Sequence, residues 1–309
     1  MPASVASRVR AAMRGALACA AVVTMLGPIA SRAAHAESLM QRGLDGAGTS
    51  VEQAAQPGAS QSRAATESAF FHWNVQGLIG NSSDSRRLDQ IEYIRSRAVS
   101  EQFISISLNE LCLSQAFSLA YYLNGSYSQR YEWKFHRPWN AAAGNCRLDG
   151  NSSRVEYGNQ VLSRFTFASS LAARQGSAAY SAGTDSYHWP NIVCIDTTAF
   201  LNAFHSCSTH FGGWSTEEAD FYNYTIFSTA TYRFGMGDLN RGRASLPGSY
   251  QTDFREADLT SPKRSTTDGG TGIDYIYAVR PNTASAGNAT ITILGMSDHH
   301  SVRGYFDLL

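Results

Sequence analysis

An acid and two histidines stand close together in the segment ILGMSDHHSVRGYF. Asp298, His299 and His300 follow an apolar run there. A carboxylate beside an imidazole can fix the tautomer of the ring and raise its basicity, which is useful for acid–base chemistry. A cluster of this kind, taken alone, is more often a solvated loop. It indicates a functional site only if other segments of the chain bring partners to it.

Two strand-like runs end in side chains of the required type. In QFISISLNE, period-two alternation puts three even-numbered apolar residues on one face, and Glu110 continues that face. In RFGMGDLN, the same parity places Asp238 and Asn240 directly after an apolar row. Each of these strands is therefore predicted to carry a polar group at the end of a buried row.

Two further runs repeat this pattern. In FFHWNVQG, His72 and Asn74 share a face with an apolar start, and in GIDYIYAV, Asp274 shares a face with Ile276 and Ala278. Burying one charge costs several kcal/mol unless the charge is paired or bound to a cation. Several buried charges need a common explanation, and the pattern favours a shared polar cleft at one edge of a sheet.

Helix-like segments separate these strands. SDSRRLDQIEYIRSRA and SQAFSLAYYLNG repeat apolar residues at three- and four-residue spacing. The repeat of the second consists of Phe117, Ala120 and Tyr121, and this helix is predicted to end at Asn124-Gly125. The runs between residues 192 and 210 are predicted to pair as an antiparallel hairpin. The fold class is therefore α+β, with mixed sheets covered by helices.

The bulk composition predicts one large exported domain. With 309 residues, of which 43% are hydrophobic and 16% charged, the chain can bury a sizeable core. Residues 1–36 have the basic start, apolar stretch and small-residue ending of a secretory signal peptide, residues 37–67 form a polar flexible leader, and residues 68–309 form the domain. No second apolar stretch is long enough to span a membrane.

Charge and cysteine content narrow the functional class. Removing residues 1–36 leaves 21 basic and 25 acidic side chains, a net charge of −4, which argues against a broad basic surface for tight nucleic-acid binding. Four cysteines remain, without the spacing of a metal site, and an even number in an exported chain indicates disulfides. We expect a Cys194–Cys207 bridge across the predicted hairpin and, by elimination, a Cys112–Cys146 bridge.

Taken in chain order, the polar residues resemble a known family. The motifs are HWNVQG, SLNELC, YGNQVLSR, CSTHF, GDLN, IDYIYA and SDHH, which supply Asn74, Glu110, Asn159, His210, Asp238, Asn240, Asp274, Asp298 and His299. This series over residues 70 to 307 resembles the endonuclease/exonuclease/phosphatase superfamily, which has the deoxyribonuclease I-like fold. One departure is Ser301, where the family usually has proline.

The resemblance implies a fold, a cofactor and a role for each residue. It implies a four-layer α/β sandwich, two packed mixed β-sheets flanked by helices, and hydrolysis of phosphate esters with Mg²⁺ or, alternatively, Mn²⁺ or Ca²⁺. Metal binding would fall to Asn74, Glu110 and Asp298, whose oxygen atoms suit a hard cation. The catalytic set would be His210, Asp238, Asn240, Asp274 and His299, with Asp274 holding the imidazole of His299. Whether His299 is a general base or an electrostatic partner stays open.

Substrate contacts are predicted less directly. Asn159 either orients the substrate or is purely structural. The basic residues after GDLN and before IDYIYA either contact phosphate or are plain surface charges; they are Arg241, Arg243, Lys263 and Arg264. His72, His136, His188 and His205 are interpreted as surface or packing residues. The expected substrate is a phosphoester, either nucleic acid or phospholipid, and no protein partner is evident.

The sequence thus predicts a metal-dependent phosphoester hydrolase, with a nuclease or phosphodiesterase as the first choice. The alternatives are a sphingomyelinase-like enzyme, a phosphoinositide phosphatase and a non-catalytic binding domain with the same fold. One scaffold carries all of them, so the resemblance does not separate them.

Overall fold

The computed structural model describes residues 67–75, 84–125, 131–136, 157–164, 192–199, 202–212, 216–281, 283 and 288–309. The predicted signal peptide and almost all of the predicted leader lie outside these ranges, as do His188 and Cys146. The division of the chain at residues 36 and 67 therefore stays a prediction. Among the described residues, no helix combines the length and apolar character that crossing a membrane requires.

Eleven strands of the described residues form two sheets. Sheet A has the order β10-β11-β1-β2-β4-β3, and sheet B has the order β5-β6-β7-β9-β8. The strands of sheet A are β1 (Glu67–Asn74), β2 (Ser105–Cys112), β3 (Tyr131–His136), β4 (Tyr157–Arg164), β10 (Ala289–Thr292) and β11 (Ser301–Asp307). Those of sheet B are β5 (Ile192–Ala199), β6 (Asn202–His210), β7 (Tyr232–Asp238), β8 (Phe254–Glu256) and β9 (Asp274–Val279).

Both sheets are mixed. In sheet A, β1 runs parallel to β2 and antiparallel to β11. In sheet B, β6 runs parallel to β7, which is antiparallel to β9. An apolar core that includes Phe70, Phe234 and Phe306 fills the space between the sheets.

Helices cover the outer faces. The helices are α1 (Asp84–Glu101), α2 (Leu113–Gly125), α3 (Glu217–Ile226) and α4 (Gly248–Asp253). Residues of α1 and α2 pack with sheet A in one core, and residues of α3 and α4 pack with sheet B in another. The order helices, sheet, sheet, helices confirms the predicted four-layer α+β sandwich.

The alternation predicted for three strands is confirmed. In β1, Phe70 lies in the core between the sheets, whereas Phe71 and Trp73 lie in the core under α1 and α2. In β7 and β9, Met236 and Ile276 belong to the core between the sheets. Polar residues of the same parity therefore point to the space between the sheets, at the end of each apolar row.

Strand β2 differs from the prediction at Glu110. Leu108 packs in the outer core, and strict alternation would put Glu110 on the same outer face. A β-bulge between Leu108 and Leu111 shifts the register against β4, and Glu110 has a left-handed φ of 55°. A bulge re-aims the side chain that it carries. Glu110 is therefore turned away from the apolar row and towards the end of β1.

Helix α2 ends at Gly125 as predicted, but only part of its apolar repeat is buried. Leu119 and Leu123 are fully buried, whereas Phe117 and Tyr121 are 54% and 58% exposed. Of the apolar repeat Phe117, Ala120 and Tyr121, Ala120 is therefore the buried member. The ring of Phe117 contacts Trp133 edge-on at 5.0 Å between ring centroids.

The predicted hairpin and its disulfide are confirmed. β5 and β6 pair antiparallel, Cys194 lies opposite Cys207, and the two are bonded. Cys112 is also disulfide-bonded. Its predicted partner Cys146 lies outside the described residues, so that pairing stays a prediction.

Candidate active site

The strand ends explain why the predicted site residues meet. β1, β2, β6 and β7 finish at or near Asn74, Glu110, His210 and Asp238, and β9 begins at Asp274. His210 lies beside Asp238 in the parallel pair, and Asp238 lies opposite Asp274 in the antiparallel pair. One edge of the sandwich therefore collects polar groups from both sheets.

Asp274 is held between two imidazoles. Its Oδ2 lies 2.9 Å from Nδ1 of His299, and its Oδ1 lies 3.0 Å from Nε2 of His72. The carboxylate is fully buried. Burial alone would raise the pKa of Asp274, but the hydrogen bonds and positive charges of His299 and His72 outweigh it and hold that pKa well below its usual value. Asp274 is therefore a carboxylate that orients its two neighbours.

His299 is correspondingly basic. Burial lowers the pKa of its imidazole, but the hydrogen bond to Asp274 and the negative charges of Asp274, Asp238 and Asp298 raise it to about 9. Because Nδ1 faces Asp274, Nε2 faces the cleft and lies 3.6 Å from Oδ2 of Asp238. The indole of Trp73 donates to the backbone oxygen of His299 at 2.9 Å. Both the ring and the backbone of His299 are thus fixed.

Asp238 occupies the centre of the cluster. Its Oδ2 accepts a hydrogen bond from Nδ2 of Asn74 at 3.0 Å and lies 3.5 Å from Nε2 of His210. Burial and the charge of Asp274 raise the pKa of Asp238, against the opposing effect of His210 and His299. A carboxylate with a raised pKa beside imidazoles is chemically suited to accept and return a proton during hydrolysis.

Oxygen atoms suited to a hard cation lie beside Asp238. Asn74 also donates from Nδ2 to Oε1 of Glu110 at 3.0 Å, and the same oxygen lies 3.5 Å from Nε2 of His210. The Glu110 side chain is 18% exposed, so it opens to the cleft. Carboxylate and amide oxygens are the donors that Mg²⁺, Mn²⁺ and Ca²⁺ prefer. The carboxylate oxygens of Glu110 and Asp238 therefore fit such an ion, and Asn74 would have to turn its amide to offer its oxygen.

A second group of potential metal ligands does not fit an ion. Cys194, His205 and Cys207 lie within ligand distance of one another. The two sulfur atoms are joined in a disulfide, so neither is a thiolate ligand. Among the described residues, the other group with this spacing consists of Asp238, Asp274 and His299, and it lies in the cleft.

Asp298 lies next to the cleft and is exposed. The hydroxyl of Ser297 donates to the backbone oxygen of Asn74 at 2.8 Å and accepts from the backbone nitrogen of His299 at 3.1 Å. This serine ties the predicted metal-binding strand to the SDHH segment. A role of Asp298 in metal binding stays a prediction.

Two predicted asparagines take different positions. Asn240 has a left-handed φ of 49°, is exposed, and donates from Nδ2 to the backbone oxygen of Phe211 at 2.8 Å. Its backbone nitrogen donates to Oδ1 of Asp238 at 2.8 Å. Asn159 is buried on β4, across from the bulge that carries Glu110. Their contacts with substrate stay predictions.

The basic phosphate-contact candidates are ion-paired. Arg241 pairs with Glu218, Arg243 and Lys263 both pair with Glu256, and Arg264 pairs with Asp258. Arg241 remains a prediction for substrate binding, and it would have to exchange a carboxylate for a phosphate. Among the described residues, the basic imidazole of His299 already faces the site.

His72 is the residue of this cluster that sequence reasoning missed. The side chain is fully buried, as the interpretation of His72 as a packing residue allows, but it also contacts Asp274, which that interpretation did not include. A signal is present in the sequence, since period-two alternation puts His72 on the same inward face as Asn74. A histidine that lies two residues before a site residue, on the same inward face of a strand, should therefore also be treated as a candidate site residue.

The cluster thus contains three histidines, three carboxylates and an amide at one edge of a four-layer sandwich. Solved structures share this fold. An endonuclease/exonuclease/phosphatase family protein from Leptotrichia buccalis C-1013-b matches with a TM-score of 0.52 and 11% identity, over 78% of this chain and all of that one. One from Beutenbergia cavernae DSM 12333 matches with a TM-score of 0.51 and 14% identity over 79% of this chain and 72% of that one.

A truncated TDP2 from Caenorhabditis elegans also matches, with a TM-score of 0.51 and 14% identity over 78% of this chain and 98% of that one. No curated protein matches this chain. Residues 71–299 match the Endonuclease/Exonuclease/phosphatase family. The chain belongs to that family, and the resemblance found in its motifs is confirmed.

Proposed function

We propose that this protein is an exported, divalent-metal-dependent phosphodiesterase that hydrolyses nucleic acid. One observation carries the proposal: His210, His299, Asp238, Glu110 and Asn74 converge, with polar atoms 3.0 to 3.6 Å apart. Phosphodiesters are anions that repel hydroxide, so their hydrolysis needs charge neutralisation, a positioned water and a stabilised leaving oxygen. The cluster supplies a group for each of these needs.

The cation would be held by Asn74 and Glu110, with Asp298 as a further candidate. A bound divalent ion neutralises phosphate charge and polarises the phosphorus–oxygen bond. Among this chain's own residues, Glu110 has an exposed edge and lies next to Asn74, which supports the assignment. We assign Mg²⁺ first, with Mn²⁺ and Ca²⁺ as alternatives, because all three take oxygen ligands.

The acid–base work would fall to Asp238 and the two histidines. Asp238 can orient a water and accept its proton, since its Oδ2 faces the cleft between His210 and His299. Nε2 of His210 and Nε2 of His299 are directed towards the same space and can donate to phosphate oxygens. Asp274 acts through His299, whose tautomer and orientation it fixes.

Two features support export. Residues 1–36 have the pattern of a secretory signal, and the hairpin of β5 and β6 carries a disulfide. We expect the exported protein to begin at Glu37. N-terminal sequencing of protein recovered outside the cytoplasm checks this, and protein that stays inside with Met1 intact would contradict it.

The activity is tested with three substrates in parallel, namely supercoiled plasmid DNA, sphingomyelin vesicles and a soluble phosphoinositide. Each is incubated with the purified protein in Mg²⁺, in Mn²⁺ and in EDTA. His299→Ala and Glu110→Gln are the site variants. His205→Gln is the matched control, because His205 pairs with Asp196 on the hairpin of sheet B.

DNA cleavage that disappears in EDTA and in both site variants, but persists in His205→Gln, is the expected result. Cleavage of lipid or inositol phosphate alone would keep the metal site and replace the substrate class. No metal-dependent turnover of any of the three, by protein shown to be folded, would refute the proposal and favour a binding domain with this fold.

A further inference from the structure

A chain of buried polar side chains runs behind the cleft. Nδ1 of His72 lies 3.0 Å from Oγ of Ser107, which donates to Oγ of Ser208 at 2.8 Å. Nδ2 of Asn109 donates to the same Ser208 hydroxyl at 3.2 Å. All four residues are fully buried. We call His72, Ser107, Ser208 and Asn109 the inter-sheet polar chain.

Both ends of the inter-sheet polar chain reach the active-site carboxylates. Nε2 of His72 contacts Oδ1 of Asp274 at 3.0 Å, and Oδ1 of Asn109 accepts from the backbone nitrogen of Asp238 at 3.0 Å. His72 and Asn109 belong to sheet A, whereas Ser208 and both aspartates belong to sheet B. The inter-sheet polar chain therefore fixes sheet A to sheet B at the edge where the site lies.

The placement of polar groups between two sheets calls for an explanation. The apolar core of this layer is packed with phenylalanine and aliphatic side chains, which hold sheets together without hydrogen bonds. Buried polar networks rigidify and specify one arrangement when every member is satisfied, and they are costly when a member is left unpaired. Such a network, located behind the site edge, indicates a role in setting geometry.

We propose that His72 is a positioning residue for hydrolysis: it holds Oδ1 of Asp274 so that Oδ2 is directed at His299. Asp274 is fully buried, so a lost partner on Oδ1 would not be replaced by bulk water. The carboxylate would then turn about its side-chain bond towards other donors, and Nε2 of His299 would leave its place facing Asp238. This inference rests on the proposed function.

Two substitutions separate positioning from simple packing. His72→Gln keeps an amide donor near the position of Nε2, whereas His72→Leu keeps an apolar side chain of similar size and removes the donor. If His72 only fills space, Leu is the better replacement in this core. If His72 holds Asp274, Gln is the better replacement. His205→Leu is the matched control, since it removes a buried histidine bonded to Asp196 away from the cleft.

The kinetic test measures hydrolysis of bis(p-nitrophenyl) phosphate with Mn²⁺. We expect His72→Leu to lower kcat by about 10- to 100-fold with little change in KM, as is typical when a partner of a site ligand is lost. His72→Gln should recover most of that loss, and His205→Leu should keep wild-type kcat. Equal kcat in the folded Leu variant and wild type, or equal losses in Gln and Leu, would overturn the proposal.

A measurement without turnover makes the two failures distinguishable. In EDTA-treated protein, the Nδ1 proton that His299 shares with Asp274 is observed by proton NMR as a downfield resonance. It should persist in His72→Gln and be shifted or lost in His72→Leu. If this holds while wild type hydrolyses no phosphodiester, the proposed function fails and the positioning role stands. An unchanged resonance in His72→Leu overturns the positioning role whatever the activity.

Ser107→Ala tests the same chain in case His72→Leu does not fold. It leaves the imidazole in place and removes the hydroxyl 3.0 Å from its Nδ1. We expect a smaller fall in kcat at unchanged KM and a shifted His299 proton. Wild-type values of both would overturn the proposal.

Discussion

Replacing Asp274 with asparagine removes one negative charge from between two imidazoles and keeps the volume of the side chain. The imidazole of His299 has a pKa of about 9 in the folded protein, against an ordinary value of 6.5. The difference corresponds to about 3 kcal/mol of net interaction between the imidazolium and its surroundings. The Asp274 carboxylate makes the hydrogen bond to that ring, so the Asp274→Asn substitution should abolish most of this interaction.

The assay is a titration of the histidine Cε1 proton resonances by NMR in EDTA, with His299→Gln used to assign the His299 signal. In Asp274→Asn we expect the pKa of His299 to fall from about 9 towards 6.5. Burial lowers the pKa of the imidazole, and fewer negative charges then counteract this effect. Far-UV circular dichroism checks that the variant is folded.

The control is Asp196→Asn, which removes the carboxylate partner of His205 on the hairpin of sheet B. This variant should leave the pKa of His299 unchanged and alter only the signal of His205. A pKa that stays near 9 in folded Asp274→Asn would refute the reasoning, because the basicity of His299 would then have another source.

Three further predictions concern stability, measured by urea unfolding in EDTA. Because the folded pKa of His299 lies above its ordinary value, its stabilisation is fully present below pH 6.5 and is lost as the pH rises through about 9. Wild type should therefore lose about 3 kcal/mol more than His299→Gln over that window; parallel curves would contradict this. Replacing Cys194 and Cys207 with serine opens a link across 13 residues and should cost about 3 kcal/mol, whereas an unchanged midpoint would show that the disulfide contributes nothing. In Gly237→Ala the new Cβ would lie 2.1 Å from a backbone oxygen of β6, which should cost about 1 to 3 kcal/mol, while Gly242→Ala, with nothing within 4 Å, should cost far less; equal costs would contradict the packing argument.

The rows that alternate regularly could be predicted from the sequence. Asn74 and Asp238 follow apolar residues of the same parity and Asp274 precedes such residues, and the structure puts all three at the edge between the sheets. Period-two alternation is enough here because these strands are regular up to the end that carries the polar residue. The Cys194–Cys207 pair followed from the predicted hairpin, and the two packed sheets followed from the family resemblance.

Glu110 shows where the pattern stops being sufficient. The residue does lie at the site, but the face assigned to it by alternation was wrong. A bulge with a left-handed glutamate reverses the side chain, and such a backbone is rare for non-glycine residues. Tertiary contacts with Asn74 and His210 stabilise it, and these come from distant segments. Local sequence carries no signal for them.

The pairing of β1 with β11 has a consequence for how the molecule forms. Glu67 lies opposite Asp307, and β11 is an interior strand of sheet A, between β10 and β1. Sheet A cannot be completed until residues 301–307 have been synthesised. The entropy cost of closing the long loop between β1 and β11 makes such non-local pairing slow. A chain that gains its native contacts so late remains unfolded during synthesis for longer than one built from local contacts. That delay suits the export proposed above, in which the polypeptide would be threaded through a narrow translocation channel before it folds.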